Sequence, residues 1–253
     1  MINIKPLKAF SDNYIWLLES NEDISVVDPG DAKPVLDYLE NKNKNLVDIF
    51  ITHHHFDHTA GVPELISKIS GSVYGPKNSY ELIRDKVTEG DIISSLGMNF
   101  EVIEVPGHTL DHIAFFNKEN KILFCGDTLF AGGCGRVFEG TFDQMFDSLN
   151  KLKQLPESTQ IYCGHEYTKS NLVFSIGVEP ENSDLVLRNS EIDSLIMKNG
   201  SSLPSSIELE KKTNPFLRCD LLGDNIQLMQ RFGLKNPSEK EIFTHIREWK
   251  DSA

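Results

Sequence analysis

The sequence predicts an α/β domain over residues 1–166 followed by an all-helical domain over residues 167–253. Two observations support this division. Up to His165, short strand-like runs alternate with amphipathic helical patterns, which is typical of an α/β fold. Beyond His165 the strand-like runs disappear, and amphipathic stretches joined by polar connectors take over. A chain of 253 residues is long enough to bury one large core or two modest ones.

The first elements along the chain are two β-rich runs, at residues 15–18 and 24–27. A helical pattern follows, with its apolar residues on one face and Asp31 in position to cap it. The pattern then predicts, in order, a strand at 48–52, a helix at 62–69, a strand at 72–74 and a helix near 79–87.

The later elements of the first domain are three strand-like runs, one helix and a last strand. The helix spans residues 141–155 and begins with a capping box formed by Thr141 and Gln144. In the second domain the last helix is the clearest, because Ser238 and Glu241 form another capping box before an apolar face. The strands are predicted at 100–105, 113–116, 122–124 and 160–163.

The charge of the chain argues against several partners. Acidic residues outnumber basic ones 38 to 25, so the formal charge is −13, and such a surface repels phosphate backbones. No run approaches the roughly 18 apolar residues of a membrane helix. We therefore expect no nucleic-acid partner and no membrane partner, and nothing in the pattern points beyond a monomer.

The cellular compartment is predicted from the N-terminus and the cysteines. The first 20 residues lack a basic segment followed by an apolar core, so no signal peptide is predicted. The four cysteines have no paired CxxC spacing, which makes a disulfide framework or a structural zinc site a poor fit. A cytoplasmic protein with reduced thiols is the simplest interpretation.

A histidine-rich segment, Thr52-His53-His54-His55-Phe56-Asp57-His58, directly follows a predicted strand. Imidazole nitrogens and carboxylate oxygens are ligands of divalent metals such as zinc. In an extended segment, residues i and i+2 face the same way, so His53 and His55 can reach one ion while His54 faces away. Asp57 and His58 follow a bend and can serve a second ion.

Three further candidate ligands each close a predicted strand. His108 follows Pro106-Gly107, Asp127 follows Cys125-Gly126, and His165 follows Cys163-Gly164. A glycine before each allows a sharp turn and a close approach of the backbone. One such pair alone would indicate only a turn, but three of them beside the histidine segment predict a metal site at the strand ends.

These motifs resemble the metallo-β-lactamase superfamily. The segment THHHFDH contains its HxHxDH pattern, and PGHT, CGDTLF and CGHEYT supply the separated His, Asp and His. Four further segments, AGGCGRVFEGT, GHEYTKSNLVF, VEPEN and NPFLR, resemble the hydroxyacylglutathione hydrolases (glyoxalase II) within that superfamily. The resemblance implies a four-layer αββα sandwich with a helical C-terminal domain.

The resemblance also implies residue roles. His53, His55 and His108 would bind one metal, Asp57, His58 and His165 the other, and Asp127 would bridge them. The implied substrate-binding residues are Arg136, Phe138, Tyr167, Asn171, Phe174 and Arg218. Two positions depart from the pattern: Phe138 lacks the hydroxyl of the tyrosine found in many relatives, and Asp111 stands where a glycine is usual.

The implied chemistry is hydrolysis of a glutathione thioester. Two divalent cations about 3.5 Å apart lower the pKa of a shared water toward neutrality, so that hydroxide can attack a carbonyl at pH 7. Zinc is the expected metal, with iron or manganese as alternatives for the same ligands. The leaving thiolate has a pKa of about 8.5 and needs little help from a general acid. The expected reaction is S-lactoylglutathione to lactate plus glutathione, in methylglyoxal detoxification.

Several interpretations stay open on the sequence alone. Because glutathione conjugates are anionic and the chain is acidic, local cations must attract the substrate, and Arg136 and Arg218 are the candidates. Asp28 could orient a metal-binding histidine or could only form a turn, and His112 is equally ambiguous. Alternatives to the thioesterase are a tRNA-processing nuclease, a lactonase, a β-lactamase, a mononuclear iron persulfide dioxygenase and a binding module without catalysis.

Overall fold

A computed structural model describes residues 2–77 and 80–253 of the chain. Within those residues the strands form two six-stranded sheets and one small two-stranded sheet. The strands are β1 (Asn3–Ala9), β2 (Asn13–Ser20), β3 (Asp23–Val27), β4 (Asn45–Phe50), β5 (Val73–Pro76), β6 (Asp85–Val87), β7 (Ile92–Ser95), β8 (Met98–Glu104), β9 (Ile113–Asn117), β10 (Ile122–Gly126), β11 (Leu129–Phe130), β12 (Gly133–Cys134), β13 (Gln160–Cys163) and β14 (Ser205–Ser206).

The helices are concentrated after residue 140. They are α1 (Ala32–Lys42), α2 (Phe56–Thr59), α3 (Val62–Leu65), α4 (Phe142–Lys153), α5 (Thr168–Val178), α6 (Ser183–Asn199), α7 (Ile207–Thr213), α8 (Cys219–Leu222), α9 (Ile226–Phe232) and α10 (Glu239–Asp251), with a 3-10 turn at Pro215–Leu217. Asp31 caps α1 by accepting a hydrogen bond from Lys33 N at 2.9 Å. Both predicted capping boxes, at the starts of α4 and α10, are present.

The first sheet has the order β1-β2-β3-β4-β5-β6. Its first three strands are antiparallel and its last four are joined in parallel pairs, so the sheet is mixed. β2 and β3 are buried over nearly their whole length, as expected of strands covered on both faces. On one face of this sheet, Val35 of α1 and Leu65 of α3 belong to the same apolar cluster as Ile24 and Val26.

The second sheet has the order β14-β13-β10-β9-β8-β7. The ring of Phe50 on β4 lies 5.5 Å from that of Phe100 on β8 and 5.2 Å from that of Phe115 on β9. All three rings are buried, and burying a phenylalanine side chain stabilises a fold by roughly 1.5–3 kcal/mol. The two sheets therefore pack face to face through an aromatic core.

The chain divides into two compact units. One contains residues 1–104, 111–126 and 162–166, and the other contains residues 105–110, 127–161 and 167–253. Glu166 and Tyr167 belong to different units, at the position where the sequence suggests a boundary. The second unit also takes in two stretches that precede that boundary.

The helix predicted at 62–69 is shorter than expected. α3 ends at Leu65, after which Ser70 N donates a hydrogen bond to Leu46 O at 3.0 Å and Ile69 forms an isolated parallel bridge with Leu46. Ile69 thus pairs with Leu46, near the start of β4, instead of continuing the helix, so tertiary pairing overrides the local helical pattern.

The helix predicted near 79–87 is wrong for the residues that the structure describes, and Ser79 lies outside them. Residues 85–87 form β6, which pairs in parallel with β5. Arg84 N donates to Val73 O at 2.9 Å, which draws this segment alongside β5. The sequence pattern also missed β1 and β7, which lie at the edges of the sheets, and the short β14 within the helical region.

Of the helices in residues 2–77 and 80–253, none combines the length and the apolar composition needed to cross a membrane.

Candidate metal centre

The histidine segment leaves β4 and turns into α2, whose first turn presents Asp57 and His58. The rings of His53 and His55 lie 4.7 Å apart. His54 takes a different partner, because its Nδ1 lies 3.0 Å from Oδ1 of Asp111. Asp111, the residue that departs from the family pattern, therefore contacts the one histidine of the segment that was not expected to bind metal.

Asp57, His58 and His165 come together in the first compact unit. His58 Nε2 lies 3.3 Å from His165 Nε2, and Asp57 Oδ2 lies 3.5 Å and 3.4 Å from these two atoms. Zinc bonds of about 2.0–2.1 Å place the ligand atoms of a tetrahedral site about 3.3–3.4 Å from one another. The three donor atoms therefore have the spacing of three corners of such a site, and these residues fit a zinc ion.

The outer nitrogens of these two histidines are held by carboxylates. His58 Nδ1 lies 3.1 Å from Asp28 Oδ2, and His165 Nδ1 lies 2.7 Å from Asp12 Oδ1. A carboxylate at Nδ1 favours the tautomer with its proton there, which leaves the lone pair of Nε2 directed at the ion. Both rings are thus prepared as metal ligands by their surroundings.

Asp28 also orients His53, through Thr52. The Thr52 hydroxyl donates a hydrogen bond to Asp28 Oδ2 at 2.7 Å and lies 3.0 Å from His53 Nδ1. Its oxygen can therefore accept a hydrogen bond from the N–H of His53 while its own proton points at the carboxylate. Asp28 is 3% exposed and has a φ of 51°, a conformation that non-glycine residues rarely adopt. Of the two roles left open by the sequence, Asp28 therefore orients histidines. His112 stacks on His53, with ring centroids 4.6 Å apart.

Two contacts, one from a side chain and one from the backbone, hold Asp57 in place. Asn13, at the start of β2, donates from Nδ2 to Asp57 Oδ2 at 2.8 Å. Gly30 lies against the same residue, since a Cβ at position 30 would be 1.8 Å from the carbonyl oxygen of Asp57. Only glycine allows this approach, which explains the Asp-Pro-Gly sequence at the end of β3.

His108 and Asp127 lie together in the second compact unit. His108 Nε2 lies 3.5 Å from Asp127 Oδ2, and His108 Nδ1 lies 2.7 Å from the carbonyl oxygen of Arg136. The carbonyl fixes the tautomer of His108 in the same way that the carboxylates fix His58 and His165. Both residues are at least nine-tenths buried.

Arg136 and Phe138 project from the loop after β12, whose carbonyl at Arg136 contacts His108. The Arg136 guanidinium lies 5.5 Å from the centre of the Phe138 ring, and that ring lies 5.3 Å from the imidazole of His108. Phe138 is 61% exposed, and the Arg136 side chain is similarly accessible. Arg136 Nε also lies 3.5 Å from Asp251 Oδ1, so a ligand beside His108 would meet an apolar ring and a cation that it would share with Asp251.

Asn171 and Phe174 form a second cluster, on α5, together with a residue that sequence reasoning missed. Asn171 Oδ1 accepts a hydrogen bond from Lys250 Nζ, which lies 5.6 Å from the centre of the Phe174 ring. Burial lowers the pKa of Lys250 to about 8. Nothing in the sequence singled out Lys250, because a basic residue in the last turn of a helix is common. Tyr167, the third residue of this predicted group, packs its ring edge-on to Phe130 at 5.3 Å.

Arg218 has a protein partner where a substrate carboxylate was expected. Its Nε lies 2.9 Å from Glu179 Oε2, and its Nη2 lies 3.0 Å from Glu179 Oε1, a two-pronged pair. Its Nη1 donates to Lys211 O at 3.0 Å. The guanidinium is therefore engaged on both sides, and a substrate carboxylate would have to displace Glu179.

Comparison with known proteins agrees with this geometry. The family model described as the metallo-beta-lactamase superfamily matches residues 10–165, and the model described as the hydroxyacylglutathione hydrolase C-terminus matches residues 166–253. A crystal structure of ETHE1 from Myxococcus xanthus has a TM-score of 0.66 at 24% identity, with 95% of each chain covered. That likeness concerns the fold alone, an α/β sandwich.

Similarity in sequence is stronger and runs the length of the chain. The hydroxyacylglutathione hydrolase of Pseudomonas syringae pv. syringae is 49% identical over 257 residues, and that of Pseudoalteromonas translucida is 48% identical over 257 residues. In both cases 99% of each chain is covered. With its fold, its His and Asp clusters and this similarity, the chain belongs to the hydroxyacylglutathione hydrolase family of the metallo-β-lactamase superfamily.

Proposed function

We propose that this protein hydrolyses S-(2-hydroxyacyl)glutathione thioesters, with S-lactoylglutathione giving lactate and glutathione in methylglyoxal detoxification. The observation that carries the proposal is the 48–49% identity, over 99% of both chains, to proteins named hydroxyacylglutathione hydrolase. The His and Asp clusters supply the divalent-metal ligands that such a hydrolase needs.

In this proposal two divalent ions bind to each chain. His53, His55 and His108 would hold one ion, Asp57, His58 and His165 would hold the other, and Asp127 would be shared between them. The spacing of the donor atoms of Asp57, His58 and His165 supports the second set. Zinc is the proposed metal because nitrogen and carboxylate donors at tetrahedral spacing suit it, and iron or manganese would accept the same ligands.

When bound, such ions lower the pKa of a coordinated water and polarise the carbonyl of the thioester. The protein's own contribution is to keep each ligand in position beforehand. Asp28 and Asp12 keep protons on the outer nitrogens of His58 and His165, and Asn13 fixes the carboxylate of Asp57. Asp57 and Asp127 are the proposed catalytic carboxylates. Because a thiolate is a good leaving group, no serine or cysteine nucleophile is required.

The proposed glutathione-binding residues are Arg136, Phe138, Tyr167, Asn171 and Phe174, and the contacts of Asn171 add Lys250 to them. Lys250 offers a cation beside Asn171 and Phe174. The guanidinium of Arg218 is instead paired with Glu179. Arg218 thus stays a predicted substrate ligand only if the substrate displaces Glu179.

The compartment, oligomeric state and domain division of the enzyme are part of the proposal. We propose a cytoplasmic monomer with a catalytic domain at residues 1–166 and a substrate-binding domain at residues 167–253, with no nucleic-acid partner and no membrane partner. The formal charge of −13 supports the lack of a nucleic-acid partner.

An activity panel on the purified protein tests the proposal. We expect release of thiol from S-lactoylglutathione, and no turnover of a β-lactam, a lactone or a phosphodiester, with about two metal ions per chain. Turnover of one of the other substrates in place of the thioester would contradict the proposal. So would a protein with one iron per chain and no thioesterase activity, which would indicate a dioxygenase.

The bridging role of Asp127 has its own test. Asp127→Ala is expected to abolish turnover and to lower the metal content measured by mass spectrometry, because a shared carboxylate offsets the repulsion between two cations. Asp143→Ala removes an exposed carboxylate from the first turn of α4 and is the matched control. Full metal content and near-normal kcat in Asp127→Ala would rule out the bridge.

A further inference from the structure

The small hairpin of β11 and β12 connects two parts of the proposed site. It begins two residues after Asp127 and ends two residues before Arg136. Asp127 belongs to the proposed metal set and Arg136 to the proposed glutathione set, and the second strand of the hairpin leads directly into the segment that carries Arg136. Two strands of two residues each cannot fix their own position, since an isolated two-stranded hairpin is marginally stable at best.

Side chains from α5, from α7 and from Asn214, directly after α7, hold the backbone of this hairpin. Glu210 Oε2 accepts a hydrogen bond from Gly132 N at 2.7 Å, and Ser175 Oγ donates to Gly132 O at 2.8 Å. Asn214 Nδ2 donates to Gly133 O at 2.9 Å, and Asn171 Nδ2 donates to Ala131 O at 3.1 Å. Ala131, Gly132 and Gly133 are therefore each hydrogen-bonded to one of these side chains.

The glycines of the turn are needed for this contact. A Cβ at Gly132 would lie 2.9 Å from Leu172 Cδ2, and a Cβ at Gly133 would lie 2.7 Å from Asn171 Cγ. Gly132 also has a φ of +69°, which favours glycine. The hairpin thus lies directly against α5, with no space for a side chain between them.

Glu210 stands out among these partners because it is a buried charge with no part in the proposed reaction. It is 0% exposed. Its Oε1 accepts from Arg188 Nη2 at 2.7 Å and from the Ser205 hydroxyl, and its Oε2 accepts from Gly132 N and from Asn214 Nδ2 at 3.0 Å. Hydrogen bonds to an ionised acceptor are roughly twice as strong as neutral ones, so the carboxylate holds the turn more firmly than an amide would.

We propose that Glu210 is a positioning residue for glutathione binding, acting by fixing Gly132 and Asn214 and thereby the hairpin that leads into Arg136. This inference rests on the proposed function. One carboxylate oxygen of Glu210 pairs with Arg188, which balances the buried charge. The other oxygen accepts a hydrogen bond from Gly132 N in the hairpin. A merely structural role would make the pair with Arg188 the important contact, whereas a positioning role makes the bond to Gly132 the important one.

The test compares Glu210→Gln with Arg188→Met in the full-length, metal-loaded protein. The readouts are the thermal midpoint, the Kd of S-methylglutathione by calorimetry, and kcat and KM with S-lactoylglutathione. S-methylglutathione is a thioether that hydrolysis cannot cleave, so its binding is measured apart from activity. For Glu210→Gln we expect Kd and KM to rise about tenfold, with kcat within about twofold of the parent.

Arg188→Met is the matched control, because Arg188 contacts Glu210, Thr213 and Ser205 without touching the hairpin. Removing it leaves a buried carboxylate without its cation, so the thermal midpoint is expected to fall at least as far as in Glu210→Gln. Its Kd is expected to stay within about twofold. Equal losses of binding in the two variants would overturn the proposal in favour of a structural role.

A second variant covers the case in which Glu210→Gln does not fold. Ser175→Ala removes only the hydrogen bond to Gly132 O and is expected to raise Kd about threefold with little change in the thermal midpoint. If Glu210→Gln folds, an unchanged Kd in that variant would overturn the proposal. If it does not fold, an unchanged Kd in Ser175→Ala would overturn it. Either result would leave the proposed function unaffected. A parent protein that neither binds S-methylglutathione nor hydrolyses S-lactoylglutathione would contradict the proposed function as well.

Discussion

Lys250→Met should make the protein more stable at neutral pH and less able to bind its substrate. Lys250 lies in the last turn of α10, and burial lowers the pKa of its ammonium from 10.5 to about 8. Below pH 8 the folded protein therefore carries a charge that its surroundings disfavour. Methionine has a similar length and no charge, so it removes this cost while filling the same space.

The size of the effect follows from the two pKa values. A difference between 10.5 and about 8, at 1.36 kcal/mol per pH unit, is worth about 3 kcal/mol. Methionine also loses the hydrogen bond to Asn171 Oδ1, which costs about 1 kcal/mol. The variant should thus be more stable than the parent by about 2 kcal/mol at pH 7, or by about 5 °C in thermal midpoint.

The dependence on pH has a definite sign. The folded pKa lies below the unfolded one, so between about pH 8 and 10.5 the unfolded state binds more protons and the stability of the parent rises with pH. The difference between variant and parent should therefore vanish within this window and reverse near pH 10.5. Thermal melts from pH 6 to 10.5 measure it. The control is Lys240→Met on the same helix. The side-chain hydrogen bond to Asp147 raises the pKa of Lys240, the opposite direction from Lys250.

Two results would refute this reasoning. One is a Lys250→Met variant that is less stable than the parent at pH 7, and the other is a stability difference that does not change with pH. The binding consequence is measured separately: if Lys250 attracts a glutathione carboxylate, its loss should raise KM for S-lactoylglutathione about tenfold and leave metal content unchanged.

Asp28→Asn should weaken metal binding by about 10–100-fold in a chelator titration, because Asp28 orients His53 and His58, whereas Asp31→Asn, at the cap of α1, should leave it unchanged. His54→Ala should keep the full metal content by mass spectrometry, and a large loss of metal would place His54 among the ligands. Arg218→Ala should lower the free energy of unfolding by about 3 kcal/mol, since it leaves Glu179 buried without its cation. A raised KM with normal stability in that variant would instead make Arg218 a substrate ligand.

The parts of the structure that sequence patterns predicted are those built from neighbouring residues. Thr141 with Gln144 and Ser238 with Glu241 form the expected capping boxes because each box needs only residues three apart. Asp31 caps α1 for the same reason. The histidine segment was informative because four candidate metal ligands, His53, His55, Asp57 and His58, fall within six residues.

The parts that were missed depend on partners distant in sequence. Glu179 lies 39 residues before Arg218 and takes the guanidinium that the family resemblance assigned to substrate. Lys250 becomes unusual only because Asn171, 79 residues earlier, and two aromatic rings surround it. Residues 85–87 form a strand because β5 offers an edge to pair with. None of these partners leaves a periodic signal in the sequence. The contacts arise from burial and from pairing between distant segments, which a local pattern does not report.

The cluster around Asp57 has a consequence for the order of events during synthesis. Its members range from Asp12 and Asn13, in the N-terminal hairpin, to His165 at the end of β13. A nascent chain emerges from its N-terminus, so the hairpin is made long before the last ligand. This half of the site can be completed only after residue 165 has left the ribosome. A chain stalled before that point holds an incomplete set of these donors, so an ion that needs all three of Asp57, His58 and His165 would be loaded late in biogenesis.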